Sequence, residues 1–123
     1  MITKLKDLMS LNGEMNAAEI ESRFTQIAKL LFENFAIQKG KKIYLFKEIE
    51  FYFYNKHHRD IITHPRFSDS LYWYVNDFRG IDLNFPSEIC KKDETDTNGK
   101  KVKKYILDDS SCFGGILIRQ LVS

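Results

Sequence analysis

Cysteine and proline are scarce, with two of each in a chain of 123 residues. Two thiols, Cys90 and Cys112, cannot build the dense framework of a small secreted disulfide domain. The expectation is a cytoplasmic protein with both thiols reduced. Only Pro65 and Pro86 interrupt the backbone, so long helices and strands can run unbroken. No stretch of about 18 apolar residues occurs, which gives no membrane-spanning helix and no membrane partner. The opening residues, MITKLKDLMSLNGEMN, lack the apolar centre of a signal peptide. An excess of one charge is also missing. Nineteen basic residues face 17 acidic ones, a net of +2, which excludes a histone-like protein that lives on bulk charge. No internal repeat is present.

Aromatic residues are plentiful: ten Phe, six Tyr and one Trp, or 14% of the chain. Side chains this large must be buried or laid out as a stacking surface. The length suits one domain with one core, since such a chain buries about two-thirds of its unfolded surface.

Ile2, Leu5, Leu8 and Met9 stand at helical spacing, a helical lead-in within residues 1–15. Asn16 lies three residues before Glu19, the spacing of a capping box. Ile20, Phe24, Ile27, Ala28, Leu31 and Phe35 then form one apolar stripe, predicting a helix from about Ala17 to Phe35. Lys42–Tyr54 is rich in β-branched and aromatic residues and reads as a long strand or a strand pair. Strict alternation puts Ile43, Leu45, Ile49, Phe51 and Phe53 on one face. It puts Tyr44, Phe46, Glu48, Glu50, Tyr52 and Tyr54 on the other.

Residues 55–69 read as a loop broken at Pro65. Leu71–Val75, Arg79–Phe85, Tyr105–Asp108 and Gly115–Leu121 read as further strands. Gly114 and Gly115 suit a close backbone approach. Residues 91–104 offer only Val102 to a core and read as an exposed, mobile, charged loop turning at Asn98-Gly99. A helix followed by consecutive strands predicts a single α+β domain over residues 1–123. Its N-terminal helix packs on a curved, mainly antiparallel sheet.

Glu50 and Tyr52 share a strand face. On a half-wet sheet a mid-strand carboxylate needs no role beyond meeting water. In an aromatic-walled cleft, desolvation moves such a carboxylate toward the range of a general base. Glu48 shares the face, so alternation alone does not choose between them. His57, His58, Asp60 and His64 crowd one loop, but no Cys or helical His pair joins them, and no metal site is expected. His57 and His58 read as exposed, while Pro65 stiffens the backbone beside His64. Tyr72, Trp73 and Tyr74 are core residues or a stacking wall. Arg119 closes the run GGILIR, and if it points inward Glu50 can pair with it. Lys100, Lys101, Lys103 and Lys104 form a solvated charge run that can reach phosphates.

In order, these segments are A-K-L-L at 28–31, E-I-E-F-Y at 48–52, D-x-x-x-H at 60–64, L-Y-W-Y at 71–74, L-N at 83–84 and G-I-L-I-R at 115–119. Together, over about residues 25–120, they resemble the alkyladenine (3-methyladenine) DNA glycosylase family. The resemblance implies Glu50 as the catalytic carboxylate and Arg119 as the group that helps hold the attacking water and a phosphate. It implies Tyr52 and Tyr74 as the walls of the base pocket, with His64 and Asn84 at the base edge. No cofactor is implied, and the partner is DNA with a flipped modified base.

The chain departs from the family at several places. Asp77 stands where an apolar wedge is expected, Phe51 replaces a small residue, and His64-Pro65-Arg66 shortens a T-P-R-N motif. The family continues past its L-I-R-A strand, so the expectation is a short divergent relative or a fragment.

Two functions follow. One is hydrolytic excision of a damaged or modified purine. The other is a non-catalytic module that binds nucleic acid, a nucleotide or a protein partner, as a phage-type accessory or inhibitor protein does. The acid at position 77, the short length and the mild charge favour the module. The two differ in whether Glu50, Tyr52, Tyr74 and Arg119 converge, and in whether Phe51 or Tyr72 fills the cleft.

Overall fold

Asn16 starts the long helix, its side-chain oxygen accepting the Glu19 N–H at 2.8 Å. A computed structural model describes residues 1–60, 63–65, 67–68, 73–76 and 80–123. A short helix, α1 (Ile2–Leu8), precedes α2 (Ala17–Asn34). Among the described residues there are seven strands, β1 (Ala36–Lys39), β2 (Lys42–Tyr54), β3 (Trp73–Asn76), β4 (Gly80–Asn84), β5 (Cys90–Thr95), β6 (Lys101–Ile106) and β7 (Phe113–Val122). Five of them form a curled antiparallel sheet in the order β1-β2-β7-β4-β3. The fold is α+β in one domain.

The apolar stripe of α2 buries Ile20, Phe24, Ile27, Leu30 and Leu31. These meet Phe53, Leu83, Ile116 and Ile118 from the sheet and Phe85 just after β4, and Leu5 of α1 and its C-cap Met9 join them. Each such side chain contributes about 1.5–3 kcal/mol by leaving water, so this seam dominates the stability. Gly114 lets β7 approach β2 closely: a Cβ there would collide with the Tyr52 carbonyl oxygen and lie 2.7 Å from the Phe53 Cα.

Asn55, fully buried at the end of β2, pins the segment between the helices. Its amide donates to the carbonyls of Asn12 and Met15, each at 2.9 Å, and its oxygen accepts the His57 N–H at 2.8 Å.

Strict alternation along β2 fails at one place. Register breaks at Phe46–Ile49, and β7 carries the matching break beside Arg119 and Gln120. Lys47 and Glu48 are consecutive exposed residues, and so are Arg119 and Gln120. Such an irregularity shifts the phase of the side chains. Before it, Phe46 is buried while Ile43 and Leu45 are exposed, reversing their expected faces. After it, Ile49, Phe51 and Phe53 pack on the core as expected.

Residues 91–104 are not a loop. They fall largely within β5 and β6, an antiparallel two-stranded ribbon standing apart from the main sheet. The turn is built by Asp96, whose carboxylate accepts the N–H groups of Asn98 at 2.9 Å and Lys100 at 2.8 Å. Gly99 takes a φ of +78°, which glycine adopts at little cost. Strand β1 was not anticipated, and β7 starts two residues earlier than the apolar run suggests.

Arg66, Leu71, Tyr72, Asp77 and Arg79, named above, lie outside the described residues. Among the described residues, no helix is long and apolar enough to cross a membrane.

Candidate functional site

The face of the sheet turned away from α2 carries Glu50, Tyr52 and Arg119, three of the residues chosen from sequence. Alternation after the phase break places Glu50, Tyr52 and Tyr54 there, because Ile49, Phe51 and Phe53 point into the core. Cross-strand pairing extends two rows. Glu50 lies opposite Leu117, which lies opposite Asp82, which pairs with Tyr74. Tyr52 lies opposite Gly115, which lies opposite Asn84.

Three of the six chosen residues are joined, by one hydrogen bond and one ion pair. One oxygen of the Glu50 carboxylate lies 3.2 Å from the Arg119 Nε in an ion pair, and the other accepts the Tyr52 hydroxyl. Arg119 is a diagonal neighbour of Glu50 across the β2–β7 ladder. Of the two candidate carboxylates, Glu50 is the one paired with Arg119. Both partners are partly exposed, with side chains 49% and 38% accessible, so the pair is hydrated and its Coulomb attraction is screened. The hydrogen bond to Glu50 holds the Tyr52 phenol above its ordinary pKa. Burial and the negative charge of Glu50 add to this, while Arg119 pulls the other way.

Further along the face, Tyr54 stacks on Phe113 with centroids 5.0 Å apart and planes within 16°. Asn84 is buried in β4, and His64 is exposed between β2 and β3. Tyr74 enters through its backbone, paired with Asp82. Phe51 lies on the opposite face, stacked on Phe24 at 4.6 Å, and does not fill the space beside Glu50.

His58 was expected in solvent and is instead a clasp. Its Nδ1 lies 2.6 Å from the Phe53 carbonyl and its Nε2 lies 2.9 Å from the Glu21 carboxylate of α2. Burial disfavours its charged form. The hydrogen bonds to Glu21 and Phe53 outweigh that and raise the pKa above the usual histidine value. A cleft of about 450 Å³ opens beside it, lined by Glu21, Phe24, Thr25, Phe51, His58 and Asp60. The only sequence signal for this site was a histidine near the end of a strand, with a helix acid 37 positions away.

Among the described residues, no group of three His, Cys, Asp or Glu side chains is placed to hold a metal ion. The arrangement offers a carboxylate fixed at both oxygens, a phenol and a guanidinium on one open face. These groups can orient a water, accept its proton or hold an anion. No family model, no curated protein and no solved structure matches this chain.

Proposed function

We propose that the protein hydrolyses the N-glycosidic bond of a damaged or modified purine in DNA. One observation carries this reading: the Glu50 carboxylate is fixed between Arg119 and the Tyr52 hydroxyl on an open face. A carboxylate so oriented takes a proton from water that attacks the sugar C1′, and the base leaves with the bonding electrons. A cationic, alkylated purine is the better leaving group, and the aromatic rings of Tyr52 and Tyr74 favour it. His64 and Asn84 read its edge. The reaction needs water and no cofactor, and it takes place in the cytoplasm.

The test is release of free base from alkylated duplex DNA. Wild type releases base, and Glu50→Gln, which keeps the shape but not the proton acceptor, slows release by about 10²–10⁴-fold. Absence of release by the wild type overturns the reading. A Glu50→Gln protein as fast as wild type moves the base role to Glu48.

A second reading, a non-catalytic binding module, draws on a specific observation. Arg119 of β7 already ties Glu50 of β2 across the ladder, with Tyr52 of the same strand on its other oxygen, which makes the cluster a sufficient cross-strand tie with no reaction. On this reading the protein binds nucleic acid and releases nothing from it.

A further inference from the structure

The β5–β6 ribbon has a charge of its own. Residues 90–106 hold six lysines against three acids. The other residues then hold 13 basic against 14 acidic, so the ribbon accounts for the whole positive balance of the protein. Lys92, Lys100, Lys101, Lys103 and Lys104 are all exposed. Among the described residues, only Lys104 of these five has a carboxylate within 4 Å, Glu94 at 3.8 Å, and Lys103 stands opposite Asp93 in the ladder.

Lys92 stands directly opposite Lys104 in the ladder. Like charges in that position oppose pairing, and an anion between them relieves the repulsion. The ribbon contributes none of the buried core residues and exposes Val102 and Ile106. Yet it is well built: six paired positions, a turn closed by Asp96, and a base tied to the main sheet by reciprocal hydrogen bonds of Glu88 and Cys112, each 2.9 Å. An ordered, protruding, cationic two-stranded ribbon is suited to a polyanion with a groove.

We infer that the β5–β6 ribbon is a DNA-binding arm that seats in the major groove of a B-form duplex and sets its lysines against the flanking phosphates. A two-stranded ribbon fits that groove, whereas the major groove of A-form RNA is too narrow to admit it. The arm binds in this way whether or not Glu50 breaks a bond.

The experiment is a salt titration of binding to a short labelled DNA duplex, followed by fluorescence anisotropy. If four lysines each displace counterions, wild-type affinity falls about a hundredfold between about 50 and 200 mM salt. Replacing Lys100, Lys101, Lys103 and Lys104 with Gln flattens the slope of log affinity against log salt by about 3–4. These side chains are exposed, so the fold survives, as circular dichroism checks.

Replacing Lys39, Lys41 and Lys42 with Gln lowers the net charge almost as much at the β1–β2 turn and leaves the slope near the wild-type value. The inference is overturned by a ribbon variant that keeps the wild-type slope, or by a control variant that loses as much. It is also overturned by equal binding of an RNA duplex, by phosphatidylserine vesicles competing as well as DNA, or by no DNA binding at the lowest salt. Binding that persists in Glu50→Gln supports the arm even if no base is ever released.

Discussion

Phe51 stacks on Phe24 with ring centroids 4.6 Å apart and planes within 17°. One strand residue thus fixes both faces of β2. With Phe51 held under the helix, its neighbours Glu50 and Tyr52 turn to the opposite side. The ring of Phe85, 6.0 Å from Phe24, extends the same contact into the core.

Phe24→Ala removes the helix half of that stack. Loss of a buried ring and the cavity left behind cost about 3–5 kcal/mol. Urea denaturation should show a lower midpoint by that amount, with an unchanged slope. A loss under about 1 kcal/mol would mean that α2 does not hold the sheet through this contact.

Tyr52 reports on its two partners. Its phenol titrates above the ordinary value because of Glu50, and Arg119 opposes the rise. Glu50→Gln should therefore bring the tyrosine titration down, and Arg119→Gln should move it further up. Ultraviolet absorbance followed against pH separates the two. Shifts of the same sign in both variants would contradict the cluster geometry.

How much of this was legible from the residues differs by element. The α2 stripe and the bounds of β2 are local properties, set by period and composition, and both stand in the structure. The phase break at Lys47–Glu48 is not local. It exists because β7 carries a matching irregularity at Arg119–Gln120, and no pattern inside β2 announces a partner's bulge. The β5–β6 ribbon was invisible for a different reason. Its stability comes from a turn and a ladder rather than from burial, so hydrophobic alternation is absent. The cluster of Glu50 with Tyr52 follows from their spacing. That Arg119 joins them depends on strand order, which the chain's local pattern does not specify.

The His58 clasp makes stability depend on pH. Its folded-state pKa lies above the ordinary value of 6.5. The folded protein therefore holds that proton more tightly than the unfolded chain does. The contribution is complete below about pH 6.5 and is lost as pH rises through the raised value. Denaturation of wild type and His58→Gln at about pH 5 and about pH 8 should show a larger stability gap at the lower pH. An equal gap at both would show that the clasp works without its charge.

Gly114→Ala puts a methyl group against the Tyr52 carbonyl and the Phe53 Cα. Backbone on both sides leaves nothing soft to yield. The substitution should cost about 1–3 kcal/mol or more and lower the thermal midpoint.

Strand β7 lies between β2 and β4 and is the partner that joins them. Without it the main sheet is two separate strand pairs, β1-β2 and β3-β4. During synthesis, the edge of Ile49–Tyr54 that pairs with β7 therefore stays open until the chain beyond position 113 arrives. That segment, IEFYFY, combines aromatic and β-branched residues with a single charge, which is the composition that pairs readily with a neighbouring chain. The same late, long-range pairing makes folding slow relative to helix formation, because loop closure precedes the contacts that reward it. A nascent or briefly opened molecule is thus exposed to self-association at β2. The strand that brings Arg119 to Glu50 is also the one that keeps this edge covered.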